Sequence, residues 1–228
     1  MIFKIFYALL VLTSCFSNIY AEDKNMVVKL KPASFKEENL KLLLEKRRSC
    51  RSFQKKALNL DMIAGVLWAT CGQKYDSVTG ATRTVPSAGA CYPLELYLVV
   101  GQGCLDKLQA GVYRYIIEAH SLELVLEGDK RNQLSRACLG QDFIEQAPVS
   151  LIIVADSNRT TNRYGARGER YVNIEAGHAS QNTYLAVANL GLNTVEVGAF
   201  SDNDIKGLLR LNKNCMPLIV MPIGYPIE

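Results

Sequence analysis

The stretch over residues 170–192, RYVNIEAGHASQNTYLAVANLGL, constrains this chain more than any other. It contains no proline, and small residues (Ala176, Gly177, Ala179, Ser180, Ala186, Ala188) recur along it. Small side chains let other backbones come close, so the stretch reads as a long buried helix packed on several sides. Glu175, His178, Gln181 and Asn182 fall at helical spacings on it, and polar groups inside such a helix need partners. By itself this is a core helix whose polar groups tie down neighbouring loops. A sharper reading needs the rest of the chain.

The first 21 residues stand apart. Lys4 precedes an apolar run over residues 5–16, and the segment SNIYA ends in a small residue before Glu22. That is the pattern of a secretory signal peptide, too short and too polar in its second half for a secure transmembrane anchor. Leu12-Thr13-Ser14-Cys15 also resembles a lipobox, which would make Cys15 a lipidated first residue held at a membrane. Cleavage after Ala21 is favoured, because the apolar run ahead of Cys15 is short. Residues 22–33 then read as a linker or arm, and 34–228 as one domain exported to the periplasm or cell surface. With 49% hydrophobic and 21% charged residues, the chain can bury one sizeable core. Its net charge of +4 is scattered, and no basic run is interleaved with aromatics, so nucleic acid is not the natural partner. The cysteines show no CxxC and no Cys/His pairing at zinc spacing, which argues against a metal site. They read as small buried hydrophobes, although export leaves open one or two bridges whose pairing the spacing does not reveal.

Along the chain, Ser34 and Glu37 form a capping box for a helix with Leu40, Leu43 and Leu44 on one stripe. It ends in Arg47-Arg48-Ser49-Cys50-Arg51-Ser52-Phe53. These arginines are either the usual cations at a helix C-terminus or an anion site. Asn59 caps a second helix that ends at Gly72. The run 86–93, PSAGACYP, is a loop of small residues that lets a flat ligand or another backbone come close, ahead of a strand at 94–100. Gly101-Gln102-Gly103 lacks the third glycine of a dinucleotide fingerprint, and no parallel strand–helix–strand rhythm follows. A hairpin over 112–126 has His120 near its turn, 129–139 is helical, and 149–155 is a strand covered on both faces. A helix over 202–211 and a strand over 216–223 follow the long helix. Helices and strands mix without alternating, so the class is α+β. No Gly-x-Ser-x-Gly, HExxH or phosphate-loop motif occurs, and the two histidines make hydrolysis a poor fit. Chemistry is better assigned to a bound cofactor.

Residues 47–53 resemble the RRSxRxF start of the flavin-dependent nitroreductase superfamily. PSAGACYPLELYLVV, GVYRY, His120-Ser121-Leu122, RYGARGERYVNIEAGHASQN, LGL, GAF and PIGYP follow in the order of its SagB-type dehydrogenase branch. The resemblance spans about residues 37–226. It implies a nitroreductase-like α+β fold: a mixed, mainly antiparallel sheet flanked by helices around a long central helix. It implies a homodimer with FMN in the seam, acting on a small organic or peptide-derived substrate. By this match Arg47, Arg48 and Ser49 hold the phosphate and ribityl end, and Arg51 lies at the pyrimidine edge. Pro86, Ser87, Ala88 and Gly89 of the other subunit line the ring, while Gly198 and Ala199 offer N–H groups near its N5. The alternatives within the fold are a non-catalytic flavin-binding or electron-transfer protein and a cofactor-free structural dimer. Azoline-oxidising members carry a Lys-Tyr pair before the long helix as the source of a base. Here that place reads Arg163-Tyr164, and an arginine does not give up its proton in a protein. The basic C-terminal tail of many nitroreductases is also not matched, no lysine or arginine following Lys213, which leaves more of the phosphate to Arg47 and Arg48. Export would separate the enzyme from NAD(P)H, so another electron donor or acceptor is expected.

Overall fold

The computed structural model describes residues 38–78 and 80–227. The signal segment, the Cys15 lipobox, the 22–33 arm and the Ser34–Glu37 capping box lie outside them. The architecture follows from one run of apolar residues. Strand β6 (Val149–Asp156) is buried from Val149 to Ala155 because it lies inside a six-stranded sheet with helices on both faces. The other strands are β3 (Leu94–Val100), β4 (Gly111–Ile116), β5 (Ser121–Glu127), β7 (Asn193–Thr194) and β8 (Cys215–Gly224). Their order is β5-β4-β3-β6-β8-β7, and every ladder is antiparallel. A separate two-stranded hairpin, β1 (Gln73–Asp76) with β2 (Gly80–Arg83), has no counterpart in the sequence reading.

Strand alternation sorts the core into two layers. Leu96, Leu98, Leu151, Ile153 and Met221 face one way, where α2 (Leu60–Cys71) and α6 (Arg167–Asn189) cover them. Tyr97, Val99, Ile152, Val154 and Val220 face the other way, under α3 (Arg131–Ala137), α4 (Asp142–Gln146) and α7 (Asp202–Leu209). Two more helices, α1 (Glu38–Lys46) and α5 (Asn158–Tyr164), flank the long α6 at its two ends.

Helix α6 buries Gly168, Val172, Glu175, Ala176, Ala179, Ser180, Thr183, Tyr184 and Val187, a spacing of three and four that defines one face. This corrects the expectation of a helix packed on several sides. Asn173, Ile174, Gly177, His178 and Gln181 are exposed within the chain, because the sheet and α2 cover only one side of the cylinder. His178 and Gln181 are therefore surface residues, and Glu175 alone of the four polar insertions is fully buried. Asn182 is half-buried and donates from Nδ2 to the Ala69 carbonyl at 3.0 Å. The small residues work where α6 meets its neighbours. At Gly168 a Cβ would stand 2.8 Å from Thr161 Cα and 2.9 Å from Thr161 N, both backbone atoms of α5. Backbone cannot step aside as a flexible side chain can. Gly168→Ala is expected to cost about 1–3 kcal/mol, seen as a lower urea midpoint at unchanged m-value.

Candidate active site

The first group of site residues is held at the C-terminal end of α6. After α1 the chain runs extended, and Ser49 pairs in parallel with Thr194 of β7. The Cys50 N–H donates to the Thr194 carbonyl at 2.9 Å. Cys50 and Phe53 point inward against Ala147. Alternation then sends the neighbouring side chains outward: Arg48, Ser49 and Arg51 are exposed and Arg47 is half-buried. Among the described residues none of the three arginines pairs with a carboxylate. The Arg47 guanidinium lies 5.4 Å from the Tyr184 ring centroid, and that of Arg51 6.0 Å from Phe143. Cations placed over rings and left free of carboxylates stay available to an anion.

Tyr184 ties this group together, and sequence reasoning missed it because on the core face of α6 it looks like any buried aromatic. Its hydroxyl accepts the Glu196 N–H at 2.8 Å and lies 3.2 Å from Ser49 Oγ. Two residues after Glu196, Gly198 and Ala199 are exposed. Their N–H groups make no hydrogen bond among the described residues, and a Cβ on Gly198 would meet nothing within 4 Å. Gln141, at the start of α4, holds the Ala199 carbonyl at 3.3 Å, while Phe143 of the same helix lies under Arg51.

The second group lies along the N-terminal half of α6. Residues 86–92 form a tight loop containing a 3₁₀ turn, Ala88–Ala90, with Gly89, Ala90 and Tyr92 at φ of 57°, 54° and 47°. The left-handed region costs the two non-glycine residues energy, so surrounding bonds must hold them there. Ser87 Oγ accepts the Tyr92 N–H at 2.9 Å. Arg159 donates to the Tyr92 carbonyl at 3.1 Å, and Arg163 Nη1 donates to the Gly89 carbonyl at 2.8 Å. A Cβ on Gly89 would collide with the Tyr164 hydroxyl and stand 2.8 Å from Arg163 Nη1, so this loop and the Arg163-Tyr164 pair share one surface. Tyr164 also meets Tyr171 edge to face at 5.1 Å.

Beneath that loop lies Glu175, 3% exposed. Burial pushes its carboxyl up to about 7, against the Ser87 hydroxyl and the Arg83 charge, which both favour the ionised form. One carboxyl oxygen, Oε1, and the Arg83 Nη1 group are buried without a partner. Burial likewise pushes the neighbouring Cys71 thiol up to about 12, so it is a neutral packing group. His120, read as a solvated turn residue, is exposed at φ 45°, and its Nδ1 lies 2.6 Å from the Tyr115 hydroxyl.

The predicted residues thus fall into two sets. Arg47, Arg48, Ser49, Arg51, Gly198 and Ala199 gather near the end of α6 that carries Tyr184, whereas Pro86, Ser87, Ala88, Gly89, Arg163 and Tyr164 gather at its start. At the rise of a regular helix, Glu175 beneath the loop and Tyr184 beside Ser49 are about 14 Å apart along α6. Among the described residues no hydrogen bond, ion pair or ring contact joins one set to the other.

The profile of the "Nitroreductase family" matches residues 44–225, most of the chain and all of both sets. The chain belongs to the nitroreductase family. A Methanocaldococcus jannaschii protein named as a nitroreductase is 44% identical over 193 residues, covering 84% of this chain and 94% of that one. The trifolitoxin-processing protein TfxB of Rhizobium leguminosarum is 30% identical over 165 residues, which cover 68% of this nitroreductase-family chain but only 44% of TfxB. Among solved structures, one titled as a nitroreductase from Ralstonia eutropha superposes with a TM-score of 0.71 at 28% identity, covering 89% of each chain. The α+β sheet expected from the sequence is the fold of this family.

Tyr184→Phe keeps the ring under Arg47 but leaves the Glu196 N–H without its acceptor. It is expected to cost about 1–3 kcal/mol, measured by chemical denaturation.

Proposed function

We propose that this nitroreductase-family protein is an FMN-dependent oxidoreductase of SagB type that works as a homodimer. The observation that carries the reading is the split of the site: two sets of residues with complementary tasks lie at separate places along one helix whose outer face is open. Packing two copies with their α6 helices antiparallel would bring the arginine set of one against the 86–89 loop of the other. Ile174 and Gly177 on the exposed face suit such a seam, the first by apolar area and the second by close approach.

The residues present fit FMN on their own chemistry. Guanidinium forks without carboxylate partners match a phosphate, so Arg47 and Arg48 with Ser49 would hold that end. Arg51 would stand by the pyrimidine edge, and the free N–H groups of Gly198 and Ala199 would donate to the ring. Bound there, the flavin supplies hydride transfer. The chain's own work is to hold and orient the ring, to exclude water from one face with Pro86, Ser87, Ala88 and Gly89, and to place the Tyr164 hydroxyl beside the substrate. Arg163 holds the loop through the Gly89 carbonyl. The substrate we infer is a small organic or peptide-derived molecule, a reading supported by the similarity to a toxin-processing protein. We also infer export, from Lys4, the apolar run and SNIYA. The N-terminus of the native protein, read by mass spectrometry, is then expected at Glu22, or at a lipidated Cys15; an intact Met1 would overturn export.

The direct test is cofactor content. The wild type is expected to purify yellow and to sediment as a dimer, and Arg47→Ala to bind FMN about tenfold to a hundredfold more weakly. A flavin-bound monomer, or an Arg47→Ala variant that retains FMN as tightly as the wild type, would sink the seam-site reading. Anaerobic photoreduction followed by mixing with nitroaromatics, quinones and oxygen distinguishes turnover from a flavin protein that only carries electrons.

A further inference from the structure

Glu175 has no role in the site just described, yet it is the fully buried carboxylic acid of α6. An ionisable group is expensive to bury, and a glutamate among alanines and a glycine could be replaced by an apolar residue if packing were its only task. Its surroundings point toward the loop. From α2 it faces the Cys71 thiol, and from β2 the Arg83 guanidinium, which is itself committed to Glu118 by a 2.5 Å ion pair. From the 86–92 loop it faces the Ser87 hydroxyl, which favours the ionised carboxyl. Ser87 Oγ already accepts the Tyr92 N–H, so its one proton is free to go to Glu175. A bond from the Ser87 hydroxyl to the Glu175 carboxyl would complete a chain from the Tyr92 N–H to the rigid face of α6, and so tie the left-handed Tyr92 to that helix.

We propose that Glu175 is a positioning residue which, through the Ser87 hydroxyl, sets the Pro86–Gly89 loop in the shape that receives the flavin ring. The link from Glu175 to the loop stands on this chain alone. Only its consequence for the ring rests on the function proposed above.

Two physical signatures follow. First, an acceptor oxygen is required at position 175. Gln supplies one in nearly the same place and Ala does not, so Glu175→Gln should keep the loop set where Glu175→Ala releases it. Second, the carboxyl is raised from 4.5 to about 7 by burial, so the folded state holds its proton more tightly than the unfolded chain. Stability from this group is full below pH 4.5, falls as pH rises toward 7, and is flat above. The folding equilibrium constant should drop roughly 300-fold across that span, and Glu175→Gln should abolish the slope. Because Ser87 favours the ionised form, Ser87→Ala should move the upper end of the slope above pH 7.

The experiment is hydrogen exchange at the Ala90, Cys91 and Tyr92 amides of the flavin-free protein, with denaturant titrations from pH 4 to 9. Glu175→Ala is expected to speed loop exchange about tenfold, with Glu175→Gln close to wild type. Equal loop exchange in wild type and a folded Glu175→Ala would overturn the proposal, as would Gln and Ala variants that loosen the loop alike. An unchanged pH span in Ser87→Ala would overturn it too, and that variant serves even if Glu175→Ala does not fold. FMN titration of the same variants, read by fluorescence, should show affinity lost in the Ala variant and kept in the Gln variant. If the wild type takes up no FMN while the loop results hold, the flavin reading fails and the Glu175 link stands.

Discussion

Two buried hydroxyls mark the register of α2 against α6, on which both sets of site residues depend. Thr70 of α2 and Thr183 of α6 are fully buried, with their oxygens 2.7 Å apart. Thr70 Oγ1 also reaches the Val66 carbonyl and Thr183 Oγ1 the Ala179 carbonyl, at 2.8 and 3.0 Å. Two protons therefore serve three contacts: each hydroxyl has a carbonyl of its own helix, and the contact between the two exists only in this register. A slide of one turn would break that contact and leave each hydroxyl with its own helix's carbonyl alone. Asn182 adds a second tie to the end of α2. The consequences spread along α6 in both directions. Toward its C-terminus the register puts Tyr184 under Ser49 and the Glu196 N–H. Toward its N-terminus it puts Glu175 beside Cys71, Arg83 and Ser87.

The sheet was legible where its residues leave no choice. The run over 149–155 is apolar at every position, which only a strand covered on both faces tolerates in a chain of mixed class, and β6 is that strand. The hairpin after 111 and the helix capped by Asn59 were equally plain, the latter with Asn59 accepting the Asp61 N–H at 2.7 Å. Helix α5 was not, since NRTTNRY is polar and holds no apolar stripe. It is fixed from outside, by Gly168 letting it lie against α6 and by Arg163 reaching the Gly89 carbonyl. Nor was the outer face of α6 legible. Small residues announce close approach without saying on which side, and periodicity cannot tell a helix enclosed by its own chain from one left half open.

For the site, motif order located the residues, and the family resemblance divided them between two subunits. Nothing in their spacing says how far apart along α6 Arg47 and Ser87 lie on one chain. That distance is a property of α6, which the sequence supplies only as a length. Tyr184 and Glu175 were hidden for opposite reasons. The tyrosine satisfies the apolar pattern so well that its hydroxyl goes unnoticed. The glutamate breaks the pattern, but a polar residue in a long helix is as easily assigned to a solvent face, which is where His178 and Gln181 turned out to be.

The division follows from how this helix packs. The buried apolar side chains of Val172, Ala176, Ala179, Tyr184 and Val187 run from its second turn to its last, so the core itself holds most of its length. At the N-terminal end Gly168 seats α5, and with it the Arg163-Tyr164 pair over the loop. At the C-terminal end the helix runs on to Leu190, whose N–H is taken by the Ala186 and Val187 carbonyls, before Gly191 at φ 70° turns the chain into β7 beside Ser49. The helix thus carries one set of site residues at each of two places along its length, and the rigid segment between them fixes their separation. In the proposed dimer that separation becomes the ruler for the seam. Two antiparallel copies meet at both ends only if each helix has the same span, and the two sites so formed are then identical by symmetry.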